Sequence, residues 1–247
     1  MQGSAFDIDV IAPEQGWTDV DGVVSGLPLY VYPVADRQKL MREAVKLPVT
    51  LKCRIGIDDQ DEEEDFTRFV ETVMGSGVTT FIVHARKAWL KGLSPKENRE
   101  IPPLNYGRVY RLKQRHHGLT IVINGGIATL DEAEEHLKHV DGVMLGRAAY
   151  NTPWLLHEVD QRIFGAEAED VTALDIVERM KPYIAGQLEQ GVWLQNITRH
   201  MLGLFHGAAG GRLWRRVLSE EASKPGAGLG VLEKAAAMPE AAKASRD

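Results

Sequence analysis

Residues 120–152, TIVINGGIATLDEAEEHLKHVDGVMLGRAAYNT, decide the fold. Thr120 to Ile123 is a short β-branched run that breaks at Asn124-Gly125-Gly126, the pattern of a buried strand ending in a tight loop. Thr129 and Glu132 then stand in the capping-box relation, in which each side chain bonds the other's free backbone N–H. Ala133 and Leu137 continue an apolar helical stripe, and Asp141 to Leu145 forms a second strand that ends at Gly146-Arg147 before another helix start. Two strand ends therefore carry glycine loops about twenty residues apart, and the second adds a guanidinium. Two readings stay open on this stretch alone. One is an anion trap of the kind that (β/α)8 barrels build after strands 7 and 8. The other is plain turn punctuation.

The bulk properties fit one barrel-sized domain, or a smaller domain with an appendage. The chain has 247 residues, 44% of them hydrophobic, and a formal net charge of −6. No apolar run approaches the roughly 18 residues that span a bilayer, and no basic region precedes an apolar core at the N-terminus, so a cytoplasmic protein without membrane partners is expected. Cys53 is the only cysteine, which excludes intrachain disulfides and cysteine-cluster metal sites. His116-His117 reads as a solvated helix end, and no metal site is expected. The average charge hides local asymmetry. Residues 58–65, DDQDEEED, hold seven acids, whereas residues 196–216 hold Arg199, Arg212, Arg215 and Arg216 with none. Residues 84–99 hold Arg86, Lys87, Lys91, Lys96 and Arg99 against Glu97. Such separation can orient a polyanion, although solvated helix faces are the commoner fate of any one cluster.

Residues 1–33 are unassigned, with FDIDVIAP and LPLYVYP as short strand candidates. A helix with Leu40, Met41, Ala44 and Val45 on one face ends at Pro48. Val49 to Cys53 is a strand, and strand alternation puts Lys52 and Arg54 on one face with Cys53 on the other. The acidic run opens a helix through about Met74, where its carboxylates suit the positive end of the helix dipole. In the strand from Thr80 to His84, Ile82, His84 and Arg86 share a face. Three successive strands thus end in polar residues, and the long loop 87–105 after the second interleaves cations with Trp89, a composition suited to phosphate contacts and base stacking. A helix over 106–116 follows. Strands near 49, 80, 120 and 141 make four βα units, half a barrel. After Phe164-Gly165 helices are expected from Thr172 to about Gln190, from about Asn196 to Phe205, and from near Arg212.

VTLKCRIGIDDQD, FIVHARKAWLKGLSPKENREIPPL, INGGI, DGVMLGRAAYNTPWLL, ITRHMLGLFHG and GGRLWRRVLSE together resemble the tRNA-dihydrouridine synthases, specifically the synthase A branch. The likeness runs from about Val34 to about Ala235, and HARKAWLKGLSPKENRE is its most specific part. It implies an α/β fold: a flavin-binding TIM barrel, here the last four βα units over residues 34–165. A helical tRNA-binding domain with a flexible C-terminal tail follows over 166–247. It implies FMN as cofactor, NADPH as reductant and tRNA as partner, with uridines 20 and 20a as targets. It carries Lys52 and His84 over as flavin contacts and places Asn124, Gly125, Gly126, Gly146 and Arg147 around the FMN phosphate. A cation suits a reduced flavin's negative charge, and backbone N–H groups with a guanidinium suit a phosphate. Lys96, Arg99, Arg212 and Arg215 are the candidate tRNA contacts, on matched motifs and local charge.

The chain departs from the family pattern in two respects. Members carry a glycine-cysteine-proline segment after the fourth barrel strand, with the cysteine as proton donor, and an earlier glutamine strand that contacts the flavin ring; neither stands upstream of Val34, so no catalytic residue is assigned. IAPEQGWTD resembles an altered first-strand motif, and strand parity turns Cys53 away from Lys52. The expectation is a synthase missing roughly strands two to four. Its half barrel, with exposed edges and an uncovered apolar interior, self-associates, borrows a partner or is marginally stable, and forms little or no dihydrouridine. The competing readings are a non-catalytic tRNA-binding remnant and, last, a phosphosugar isomerase barrel, which leaves HARKAWLKG unexplained.

Overall fold

A computed structural model describes residues 49–59, 63–168 and 170–244 of the chain. The readings of residues 1–33 and of the helix before Pro48 lie outside the described residues. The chain divides into two compact units: one runs to Gly126 and takes in Glu135–Met144, and the other holds Ile127–Glu134 and everything from Leu145.

The first unit is built on four parallel strands in the order β1 (Thr50–Arg54), β2 (Thr80–His84), β3 (Thr120–Asn124), β4 (Gly142–Met144). The register carries no offset: Leu51 pairs with Phe81 and Phe81 with Ile121, Cys53 with Val83 and Val83 with Ile123. Those rows, Cys53 apart, are buried, whereas Lys52, Ile82 and Val122 between them are not. Because side chains alternate along each strand, one face is covered and the other stays partly open. α1 (Glu63–Met74) buries Phe66, Val70 and Val73, and its acidic first turn meets the helix dipole as the sequence predicts. α2 (Tyr106–Arg115) starts at Asn105, whose side chain accepts from Arg108 N, and buries Val109 and Leu112. Each such buried aliphatic or aromatic side chain stabilises the unit by roughly 1.5–3 kcal/mol. This is the partial barrel that the sequence leads one to expect. Among the described residues, no helix is long and apolar enough to cross a membrane.

α3 (Leu130–Leu137) opens on the expected capping box: Glu132 N donates to Thr129 Oγ1 at 3.1 Å, and Thr129 N returns the bond to Glu132 Oε2 at 3.2 Å. In the second unit, α4 (Arg147–Asn151), a 3-10 turn (Pro153–Glu158) and α5 (Val159–Phe164) lead to α6 (Ala173–Glu189), α7 (Leu194–Thr198), α8 (Gly211–Glu221) and α9 (Leu229–Ala244). Thr172 and Asp175 cap α6 reciprocally. The core gathers Val177, Ile184, Leu194, Phe205, Trp214 and Leu232 among others. Trp214 is fully buried, meets Phe205 edge-on at 4.8 Å, and donates its Nε1–H to Met201 O at 3.2 Å.

One expectation is corrected by the structure. The helix expected over Asn196 to Phe205 ends at Thr198, and the chain continues in turns closed by His200 N to Ile197 O, Met201 N to Thr198 O and Leu204 N to Met201 O. Tertiary demands override the apolar pattern: Met201 O is engaged by Trp214, and Gly203 backs onto Asn151 so closely that a Cβ would lie 2.1 Å from the Asn151 carbonyl oxygen. Residues Leu229–Ala244 form a further helix, because an alanine-rich segment of high helix propensity also places Leu232, Ala235 and Ala236 in the core. Trp214→Ala is expected to destabilise the protein by about 3–5 kcal/mol, read as a lowered urea midpoint.

Candidate functional site

The unoffset register determines what gathers at the strand tips. Arg54, His84 and Asn124 occupy one row across β1, β2 and β3, and Lys52 lies one pleat back on the same face. The Lys52 side chain crosses β2 to donate Nζ to Asn124 Oδ1 at 3.0 Å, and Asn124 Nδ2 donates to Met144 O at 2.7 Å. One amide thereby ties three strand ends together. Burial, helped by the neighbouring Arg54, lowers the pKa of Lys52 below its ordinary 10.5, while Cys53 opposes the shift. The ammonium is held where its solvation is incomplete, a setting in which an anionic partner lowers the cost of the charge.

Gly125 and Gly126 turn the chain away from β3 with φ of 114° and 76°, values that side chains rarely adopt. Space forbids a substituent as well. A Cβ on Gly125 would lie 2.4 Å from His84 Cδ2, and one on Gly126 would lie 2.7 Å from Leu104 Cδ1. Tyr106 donates its hydroxyl to Gly125 O at 2.8 Å and braces the turn. Lys52, His84, Asn124, Gly125 and Gly126 are thus brought together on the first unit. Gly146 and Arg147 begin α4 in the second unit, both exposed.

The basic loop is a folded object organised on Asn98. That buried side chain accepts from Trp89 N at 2.7 Å and donates to Trp89 O at 2.7 Å. Ser94 N donates to Glu97 Oε2 at 2.8 Å and Glu97 N donates to Ser94 Oγ at 3.3 Å, a reciprocal pair just ahead of the 3-10 turn Glu97–Arg99. Arg54 Nη1 donates to Lys87 O at 2.8 Å and to Asn98 O at 2.9 Å, and Arg86 Nη1 bonds Pro102 O. Arg54 therefore clamps the loop to the tip of β1. Lys96 and Arg99 are exposed on the loop; on α8, Arg212 is exposed and Arg215 half-buried. Asn98, Leu104 and Tyr106 escape the sequence reading; the S-x-x-E pair at Ser94 and Glu97 was the available signal that this loop is ordered.

Cys53 pairs with Val83, whose neighbour Ile123 is also buried, so its side chain belongs to the covered face. The residue as a whole is only half-buried, but burial pushes its thiol up to about 12, against a small opposing effect of Lys52.

Residues 27–243 match a family model described as Dihydrouridine synthase (Dus). A tRNA-dihydrouridine(20/20a) synthase of Salmonella typhimurium is 58% identical over 203 residues, covering 82% of this chain and 61% of the relative. The enzyme of that name from Vibrio parahaemolyticus is 58% identical over 205 residues, covering 83% and 63%. That from Yersinia pestis is 56% identical over 206 residues, covering 83% and 60%. The chain spans about three fifths of the length of these curated relatives.

Native Cys53 is expected to resist alkylation at pH 8 and to react once the chain is unfolded in urea, as mass spectrometry would report. Its raised pKa favours the folded state below about 9.0, and that contribution is lost as pH rises toward 12. Gly125→Ala is expected to lower the melting temperature, because φ and His84 both oppose a methyl group.

Proposed function

The chain belongs to the dihydrouridine synthase family, and from that premise we propose that it binds flavin mononucleotide at its strand tips and takes tRNA as the substrate of uridine reduction, with NADPH as reductant. The observation that carries the proposal is the juxtaposition of the Lys52 ammonium, the Asn124 amide and the Gly125-Gly126 turn at one end of the sheet. The fit to the cofactor is chemical. Two glycines leave the turn without side chains of its own at the strand tips, and a partly desolvated ammonium nearby favours a group that is anionic or becomes so. Flavin mononucleotide, when bound, supplies hydride-transfer chemistry.

In this reading Lys52 and His84 face the flavin ring. Asn124 orients the Lys52 ammonium, and Gly125 and Gly126 meet the phosphate. Lys96 and Arg99 on the clamped loop, with Arg212 and Arg215 on α8, meet the RNA backbone. The relatives' names specify positions 20 and 20a, and we assign the same uridines to this chain. A target base must leave its stack to reach a flavin, and Trp89, held by Asn98, offers an aromatic surface beside the cations. Cys53 takes no part as proton donor, because its thiol is enclosed on the covered face and resists ionisation. Dihydrouridine formation by this 247-residue chain on its own is therefore expected to be weak or absent. That enclosure favours, as the second reading, an RNA-binding protein without chemistry.

Purified chain is expected to carry flavin absorbance and to bind tRNA with a salt-dependent affinity, each phosphate contact adding about 0.7–0.9 to the logarithmic slope. Lys52→Ala is expected to weaken flavin binding about tenfold, and wild-type affinity is expected to fall with rising pH before an ordinary lysine would lose its proton. Colourless protein that binds tRNA supports the second reading. Protein that binds neither flavin nor tRNA overturns both.

A further inference from the structure

Tyr150, Arg199 and His200 form a polar chain in the second unit that no role above uses. Arg199 Nε donates to His200 Nε2 at 3.1 Å, and His200 Nδ1 lies 2.8 Å from Tyr150 Oη. A guanidinium N–H only donates, so Nε2 carries no proton and the imidazole proton stands on Nδ1. That N–H donates to the Tyr150 oxygen, which leaves the phenolic O–H to donate away from the ring. The sequence of bonds therefore turns a tyrosine, able either to give or to accept, into an outward donor.

This donor is accessible and fixed in place. Tyr150 is 56% exposed, and Arg199 and His200 are exposed beside it. The two rings meet edge-on with centroids 5.8 Å apart, and the close approach of Gly203 to Asn151 holds the backbone beside Tyr150 against the turn that follows His200. From Gln190 to Ser219 the sequence contains no aspartate or glutamate, while Arg199, Arg212, Arg215 and Arg216 all lie within it. A phenolic O–H beside a guanidinium, in an acid-free stretch, suits an oxygen that is anionic and has no proton to offer.

We propose that Tyr150 and Arg199, positioned by His200, form a contact for a backbone phosphate oxygen of RNA. The inference rests on the RNA reading given above. Arg199 supplies the charge that displaces a counterion, Tyr150 supplies a neutral hydrogen bond, and His200 sets the direction of that bond without touching the RNA.

Three measurements test it. Nitrogen-15 spectra of the imidazoles are expected to show His200 as the Nδ1–H tautomer; a proton on Nε2 would overturn the proposal without reference to RNA. In tRNA binding at several salt concentrations, Tyr150→Phe is expected to weaken affinity about tenfold with the salt slope unchanged. Arg199→Gln is expected to weaken it and to lower the slope by about 0.7–0.9. Both variants are expected to melt at the wild-type temperature. Wild-type affinity and slope in both variants would sink the proposal and leave the RNA reading standing, and a lowered melting temperature with intact binding would reduce the trio to a structural staple. Absence of tRNA binding by the wild-type chain would remove the RNA reading itself, and the proposal with it.

Discussion

Parallel pairing without offset is the constraint on which the candidate site depends. Phe81, Val83, Ile121 and Ile123 must face the covered side of the sheet to be buried, and alternation then commits Lys52, His84 and Asn124 to the opposite side. A slip of one residue in any strand would bury a polar tip and expose an aliphatic one. Hydrophobic burial thus enforces the position of the polar cluster, although none of its members contributes to that burial. The hydrogen bond from Lys52 to Asn124 spans β2 and gives the cluster a direct link between β1 and β3.

The same short strand organises the loop. Lys52 serves the tip cluster, and Arg54, one pleat on, holds the carbonyl oxygens of Lys87 and Asn98. Burial and the nearby Arg99 and Arg86 disfavour the charge of Arg54, so its hydrogen bonds offset a real electrostatic cost. Asn98 completes the arrangement from within, where loss of its amide would leave the Trp89 backbone groups unpaired at about 1–3 kcal/mol each. A segment rich in cations and poor in apolar residues is ordered here by hydrogen bonds to its own backbone.

Much of this is legible in the sequence, and the reasons differ by element. β3, its glycine turn and the capping box of α3 are local patterns, each set by residues within a few positions of one another. Strand parity suffices to place Lys52 and Arg54 together and Cys53 apart. Tyr106 and Leu104 are illegible because their task, bracing Gly125 and Gly126, depends on contacts across 19 and more residues that no periodicity encodes. The segment after Thr198 carries a helix-like apolar pattern, but Trp214 and Asn151 draw its backbone into turns. The relay from Arg199 to Tyr150 passes through His200, 50 residues from Tyr150, and is visible only once the helical unit is folded.

The central claim is that flavin mononucleotide is held at the strand tips. Backbone amide spectra recorded during titration with flavin mononucleotide test it most directly. The account predicts shifts concentrated at His84, Asn124, Gly125 and Gly126, with the covered rows around Val83 and Ile123 little changed. Saturating ligand that leaves those four amides unmoved, or that shifts only residues away from the tips, would contradict it.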